Sequence, residues 1–193
     1  MSTENGYNTK YHFDANLRDV PDAPEEMAAA AEALLAAGKS RGLSPEERAR
    51  TLSLAGTYLR TLMRLDEARS CLEEARDLFE ETNRNKPALV TALRLAHVYQ
   101  WQGQFTLADS IYRECIIRCQ TDPALSEYTD FAHQHYGKSL FDQGRYKEAE
   151  AQFSQALALR EAKGNVELEE SSRSALDTAR AREKQRLESE PGG

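Results

Sequence analysis

The sequence predicts an all-α chain folded as a right-handed solenoid of antiparallel helix pairs. Composition points there first: Ala and Leu dominate the 193 residues and β-branched residues are scarce, a balance that favours helix over sheet. Self-similarity is the second and decisive observation, because one box of small and large residues occurs three times in register. The third is a helix-start signature, Ser44-Pro45-Glu46-Glu47, just before the first of these units.

The boxes are Ala68-x3-Leu72-x2-Ala75, Ala108-x3-Tyr112-x2-Cys115 and Ala149-x3-Phe153-x2-Ala156. Their leading alanines lie 40 and then 41 residues apart, and three residues before each stands Leu65, Phe105 or Tyr146. Upstream, each unit has a small residue followed by a larger one: Gly56 with Leu59, Ala96 with Tyr99, Gly137 with Leu140. Small residues let two helix backbones approach, and large residues three or four positions away fill the space beside the contact. One such pair cannot bury its apolar face alone, so neighbouring pairs must stack. Gly103 and Gly144 fall at matching places in the turn between helices, where Met63 stands in the first unit.

This frame divides the chain. Residues 44–163 form three helix pairs, with helices at Pro45–Leu62, Leu65–Thr82, Pro87–Trp101, Phe105–Gln120, Ala124–Phe141 and Tyr146–Ala162. Asp122, ahead of Pro123, is the expected cap of the fifth. Residues 24–43 form a flank around an alanine-rich helix, Pro24–Gly38. Residues 164–188 hold a final helix, Glu167–Leu187, whose anchors Leu168, Leu176 and Ala179 are sparse, as in a solubilising cap. Residues 1–23 lack helical rhythm yet carry Tyr7, Tyr11, Phe13 and Leu17, and read as an arm that is flexible or packed along a groove. Residues 189–193 read as a flexible tail, the function of its Gly192-Gly193 end left open.

The pattern resembles the tetratricopeptide repeat family. Leu52, Ala55, Gly56, Leu59, Leu65, Ala68, Leu72 and Ala75 carry the resemblance in the first unit. Ala92, Leu95, Ala96, Tyr99, Gly103, Phe105, Ala108, Tyr112 and Cys115 carry it in the second. His133, Tyr136, Gly137, Leu140, Gly144, Tyr146, Ala149, Phe153 and Ala156 carry it in the third. The unit is longer than the family's usual length of about 34 residues, with additional residues around 81–87 and 121–128. It looks closer to the long-unit variant of kinesin light chains.

The resemblance implies a concave wall formed by the first helix of each pair. Its inward positions fall on Arg50, Ser53, Thr57 and Arg60, then Leu93, Arg94, His97, Gln100 and Trp101, then Phe131, Gln134, His135, Lys138, Phe141 and Asp142. Arg50, Arg60, Arg94, His97, Trp101, Gln134, His135 and Lys138 are the candidate peptide-binding residues. Their guanidinium, imidazole, ammonium and indole groups suit an extended peptide with acidic features. The family's clamp for a C-terminal carboxylate does not carry over. Its asparagine positions hold Thr57 and His97, and its basic positions hold Ser53, Phe131 and His135.

Composition narrows the function classes. A formal net charge of -7 repels phosphate backbones, so no nucleic-acid partner is expected. No apolar run approaches the roughly 18 residues of a membrane span, and the polar opening has no secretory pattern. Three cysteines without zinc spacing suit reduced thiols and a cytoplasmic setting. Cys115 fills a box position usually held by alanine and is expected to be buried, whereas Cys71 reads as lying on the more exposed side of its helix. His133 and His135 lie on different helix faces, which gives no warrant for a metal site. A phosphate-cradling loop, an HExxH pair and a nucleophile elbow are all missing, so neither catalysis nor a cofactor is expected. The sequence therefore predicts a cytoplasmic adaptor or scaffold that binds a peptide segment. The alternatives are a homo-oligomerising module, joined through its terminal helices or arm, and an enzyme.

Overall fold

Helices in this chain begin and end where the local backbone can satisfy its own polar groups. The computed structural model describes residues 6–189. Its packing separates two compact units, residues 1–104 and 105–193. The first holds a hairpin of β1 (Tyr11–Phe13) and β2 (Asp19–Pro21), followed by α1 (Pro24–Gly38), α2 (Pro45–Thr61), α3 (Leu65–Glu81) and α4 (Asn85–Trp101). The second holds α5 (Phe105–Thr121), a 3-10 turn at Ser126–Tyr128, α6 (Thr129–Asp142), α7 (Tyr146–Lys163) and α8 (Val166–Ser189). Successive helices pack on each other within each unit, giving an all-α repeat fold. The first five and last four residues, including the Gly192-Gly193 end, lie outside the described residues.

The predicted start of α2 is present in full. Glu47 N donates to Ser44 Oγ at 3.3 Å, and Ser44 N donates to Glu47 Oε2 at 2.9 Å, with Pro45 just inside. Helix ends share one solution. After α2, Arg64 N reaches back to Leu59 O and Met63 N to Arg60 O, both at 2.9 Å. The same pair recurs after α4 through Gln104 and Gly103, and after α6 through Arg145 and Gly144. This closure needs a left-handed residue, which Gly103 (φ 74°) and Gly144 (φ 71°) supply without a Cβ penalty; Met63 adopts the same conformation at φ 62°.

The fifth predicted helix starts later than expected, at Thr129 rather than Ala124. Asp122 turns the chain instead of capping a helix: its carboxylate accepts from Ala124 N and its carbonyl from Leu125 N, each at 2.9 Å. Leu125 is buried by this turn. The final helix runs from Val166 to Ser189, slightly beyond both predicted ends.

The repeated boxes form the cores. In the first unit Ala68, Leu72 and Ala75 join Leu59, Leu95 and Val98, and α1 adds Met27, Ala30 and Ala31. Cys71 belongs to the same cluster and is buried, contrary to the sequence reading. In the second unit Ala108, Tyr112, Ala149, Phe153 and Ala156 are fully enclosed, and Tyr112 stacks on Tyr136 with centroids 5.8 Å apart. His133 faces α7, its Nδ1 2.8 Å from Gln152 Oε1. Beneath α8, buried Arg160 bonds Asp130 Oδ2 at 3.0 Å, Leu168 O at 3.0 Å and Ser172 Oγ at 2.7 Å.

The small positions have a measurable reason. A Cβ on Gly56 would stand 2.5 Å from Leu72 Cγ, and one on Gly137 would stand 2.6 Å from the Phe153 ring. Both neighbours are wholly buried and have nowhere to retreat. Gly56→Ala and Gly137→Ala are therefore expected to lose stability despite better helix propensity. Overpacking of about 1–3 kcal/mol outweighs a gain of at most about 1 kcal/mol. The thermal midpoint should fall by about 2–8 °C. Met63→Gly should act in reverse: relief of a left-handed non-glycine residue, about 1–2 kcal/mol, exceeds the added chain entropy of about 0.5–1 kcal/mol. Chemical denaturation should then show a higher midpoint with an unchanged slope.

Candidate functional site

The residues singled out on α2 and α4 meet a partner that the helical pattern did not reveal, the chain's own N-terminal hairpin. Its strands pair antiparallel in the register Tyr11 with Pro21, His12 with Val20 and Phe13 with Asp19. Asp14 builds the turn, its carboxylate accepting from Asn16 N at 2.8 Å and Arg18 N at 2.9 Å, while Leu17 takes a left-handed conformation. Further ties hold the hairpin to the first unit. Asn8 N donates to Glu26 Oε2 at 2.7 Å and Tyr58 Oη to Thr9 Oγ1 at 3.4 Å, while His12 Nδ1, 2.7 Å from Asp22 Oδ1, closes the hairpin itself.

At the centre, Arg60 of α2 forms a buried ion pair with Asp19 of β2 through Nη2. Arg60 is 4% exposed and Asp19 7% exposed, so both charges have left water. The Arg60 guanidinium lies 4.6 Å from the centroid of the Trp101 ring, and that of Arg18 lies 5.7 Å from it. Cation–π contact of this kind contributes about 0.5–2 kcal/mol, more as water is excluded. His97, one turn before Trp101, sits 6.0 Å from the indole. Arg60 Nε and Nη1 are buried with no acceptor among the described residues. An unanswered donor on a buried charged group costs about 1–3 kcal/mol or more.

Arg94 completes the cluster. Its Nη1 donates to Ser53 Oγ at 2.9 Å, and Ser53 Oγ is 2.9 Å from Thr91 Oγ1, joining α2 to α4. Burial, and then the like charge of Arg60, push the Arg94 guanidinium below its ordinary value, against the opposing effect of Tyr11 and Tyr58. Arg60 and Arg94 thus lie close together beside an aromatic wall, with Asp19 paired to Arg60. The arrangement can hold carboxylates and apolar groups of an extended segment. No group of metal-ligating residues occurs among the described residues.

Four candidate residues, Arg60, Arg94, His97 and Trp101, thus lie in one neighbourhood of the first unit. Arg50 lies ten residues before Arg60, about 15 Å along the helix. It pairs there with Glu46 at 2.6 Å, and Glu46 also takes Arg84. The Arg50 and Arg84 hydrogen bonds hold the Glu46 carboxyl below the usual carboxylate range. Gln134, His135 and Lys138 belong to α6 of the second unit. Gln134 is buried, accepting from Ser172 Oγ at 2.7 Å, and Lys138 is also buried. Sequence reasoning missed Asp19 and Arg18. The available signal was the Tyr11-His12-Phe13 alternation ahead of Asp14-Ala15-Asn16, which is a hairpin signature.

The thiols are closed off. Burial pushes Cys115 up to about 12 and raises Cys71 and Cys119 in the same direction.

Comparison with known proteins places this geometry. The tetratricopeptide repeat family matches residues 88–162. Among solved structures the chain is similar to BtubC (BKLC) from P. vanneervenii, at 16% identity and a TM-score of 0.57, covering 89% of this chain and 77% of that one. It is also similar to a putative kinesin light chain of Podosopora anserina with nearly identical TPR-like repeats. That chain matches at 19% identity and a TM-score of 0.58, over 85% of this chain and 80% of that one; a substituted form of the same protein gives 0.60 over the same shares. Among curated proteins no sequence matches. At these identities the solved structures support the fold alone.

The thiols give a direct check of the packing. At pH 8 the thiolate fraction of Cys115 should be on the order of a thousandth of that of a free cysteine. A disulfide reagent should therefore modify native protein slowly and unfolded protein at once, with Cys115 last. Because its folded pKa lies above the unfolded one, the stability Cys115 contributes is present below about pH 8.5 and is lost as pH rises toward 12.

Proposed function

We propose that this chain, a tetratricopeptide-repeat protein over residues 88–162, is an adaptor that holds an extended acidic segment of a partner protein against α2 and α4. Such repeats are protein–protein interaction modules, and no described helix is long and apolar enough to cross a membrane. One observation carries the finer reading: a strand of this chain already lies on that face, with its carboxylate on Arg60 beside Trp101. A surface that accepts one extended acidic strand has the hydrogen-bond donors, the positive charge and the aromatic wall to accept another. The site consists of Arg60, Arg94, His97 and Trp101, and the proposal is confined to the first unit. Three buried free thiols suit a reducing compartment, and we place the adaptor in the cytoplasm.

A peptide array probed with the full chain tests this. Captured sequences should be enriched in Asp and Glu, and binding should weaken as salt rises from about 50 to about 200 mM. Arg94→Glu should reduce affinity at least about tenfold by placing like charge against the ligand. Arg173→Glu, on exposed α8, should leave it unchanged. Hits without acidic residues, or hits indifferent to Arg94→Glu, would refute the reading.

A further inference from the structure

Arg60 is a buried cation whose bonding is incomplete. Asp19 takes only Nη2, while Nε and Nη1 point at no acceptor among the described residues. The Trp101 ring covers the guanidinium, so further acceptors must approach along its edge. A carboxylate placed side-on would take Nε and Nη2 together, and a second would take Nη1, the forked arrangement that guanidinium favours. Arg94 stands close enough to feel the charge of Arg60, and it donates to the neutral hydroxyl of Ser53. The site is built for more negative charge than one aspartate brings.

The hairpin that brings this aspartate is small. Two three-residue strands are marginal by themselves, and Tyr11 and Phe13 remain about half exposed on it, at 49% and 47%. Asp19 on Arg60 and Arg18 against Trp101 hold it to the helices, and Asn8 and Thr9 just before it bond Glu26 and Tyr58; a competing strand that brings its own carboxylates can replace the Asp19 contact.

We propose that the hairpin Tyr11–Pro21 is a built-in occupant of the α2–α4 face, displaced by an acidic peptide that presents two carboxylates on one side of an extended strand. Alternate residues of a strand share a face about 6.5–7 Å apart, so the displacing motif has acidic residues at i and i+2. One carboxylate takes Nε and Nη2 of Arg60 and the other engages Arg94. The hairpin thus sets a threshold: segments with a single acid exchange poorly, and segments with paired acids open the site. This inference rests on the acidic-peptide reading above.

The test uses the full chain and two labelled probes, an eight-residue peptide alternating Glu and Gly and its neutral counterpart alternating Gln and Gly. Trp101, the single tryptophan of the chain, reports on the site, and amide exchange over residues 11–21 reports on the hairpin. Binding of the Glu probe should shift Trp101 emission and deprotect the hairpin amides, whereas the Gln probe should do neither. Asp19→Asn removes the charge at constant size and should raise affinity for the Glu probe about tenfold, the gain expected when a closed state holding about nine-tenths of the molecules is abolished. Asp14→Ala loosens the turn without touching Arg60 and should raise it in the same direction, so the inference can still fail if Asp19→Asn does not fold. Equal affinity in all three forms, with hairpin amides still protected in the complex, would overturn the inference and leave the acidic-peptide reading standing. No binding of the Glu probe by any form would overturn both.

Discussion

The contact on which the repeats depend is the approach of two helices at a position where a methyl group will not fit. At Gly56 and at Gly137 the next helix lies so near that its large side chain, Leu72 or Phe153, occupies the place of a Cβ. Helix spacing is thereby set by side-chain volume and cannot drift, because close-packed interiors have no slack. Everything on the outer face inherits that spacing. Ser53 and Arg60 flank Gly56 on α2, and their reach toward α4 and the hairpin is fixed by how α2 seats on α3. The turns are under weaker constraint: the closures after α2 and α3 use Met63 and Asn83 where those after α4, α6 and α7 use glycine.

This difference explains what was legible in the sequence. A small residue and a large one at fixed spacing leave a periodic trace, and they identified the helix pairs and nearly all their limits. Ser44 and Glu47 announced a helix start for the same reason, since capping is decided within four residues. The hairpin was not read, because the buried Asp19 stands 41 residues from its partner Arg60 and has no periodic neighbours. Cys71 lies in a cluster that also draws on Met27, Ala30 and Ala31 of α1, a helix outside the three repeated boxes, so the repeat alone did not show its burial. Arg60, Arg94, His97 and Trp101 were singled out by carrying a known pattern onto the chain. That they surround a carboxylate was visible only in three dimensions.

Each unit contains a buried arginine–aspartate pair, and the two are built differently. Arg160 spreads its donors over Asp130, the Leu168 carbonyl and the Ser172 hydroxyl, and Asp130 is joined by Lys163 as well. Burial pushes the Arg160 guanidinium below its ordinary value, and Asp130 opposes that shift. Charge and hydrogen-bond demand are answered together, which is the condition under which an ion pair is tolerable in a protein interior. Arg60 has one carboxylate and an aromatic face, with donors left over. The Arg160 pair is an internal fastening whose Nε and Nη1 are answered, and the Arg60 pair leaves Nε and Nη1 unanswered among the described residues.

The answering of Arg160 also has an order in time. A ribosome delivers Asp130 before Arg160, and both before Leu168 and Ser172, so α6 and α7 emerge while this guanidinium is only partly matched. When α8 follows, it contributes a carbonyl and a hydroxyl to a charge already in place, and its few apolar anchors, Ala175, Leu176 and Ala179, are enough to keep it there. The last helix therefore behaves as a latch rather than a lid. A chain cut before Leu168 would leave Arg160 paired with Asp130 alone, its Nη1 stripped of both the carbonyl and the hydroxyl that answer it.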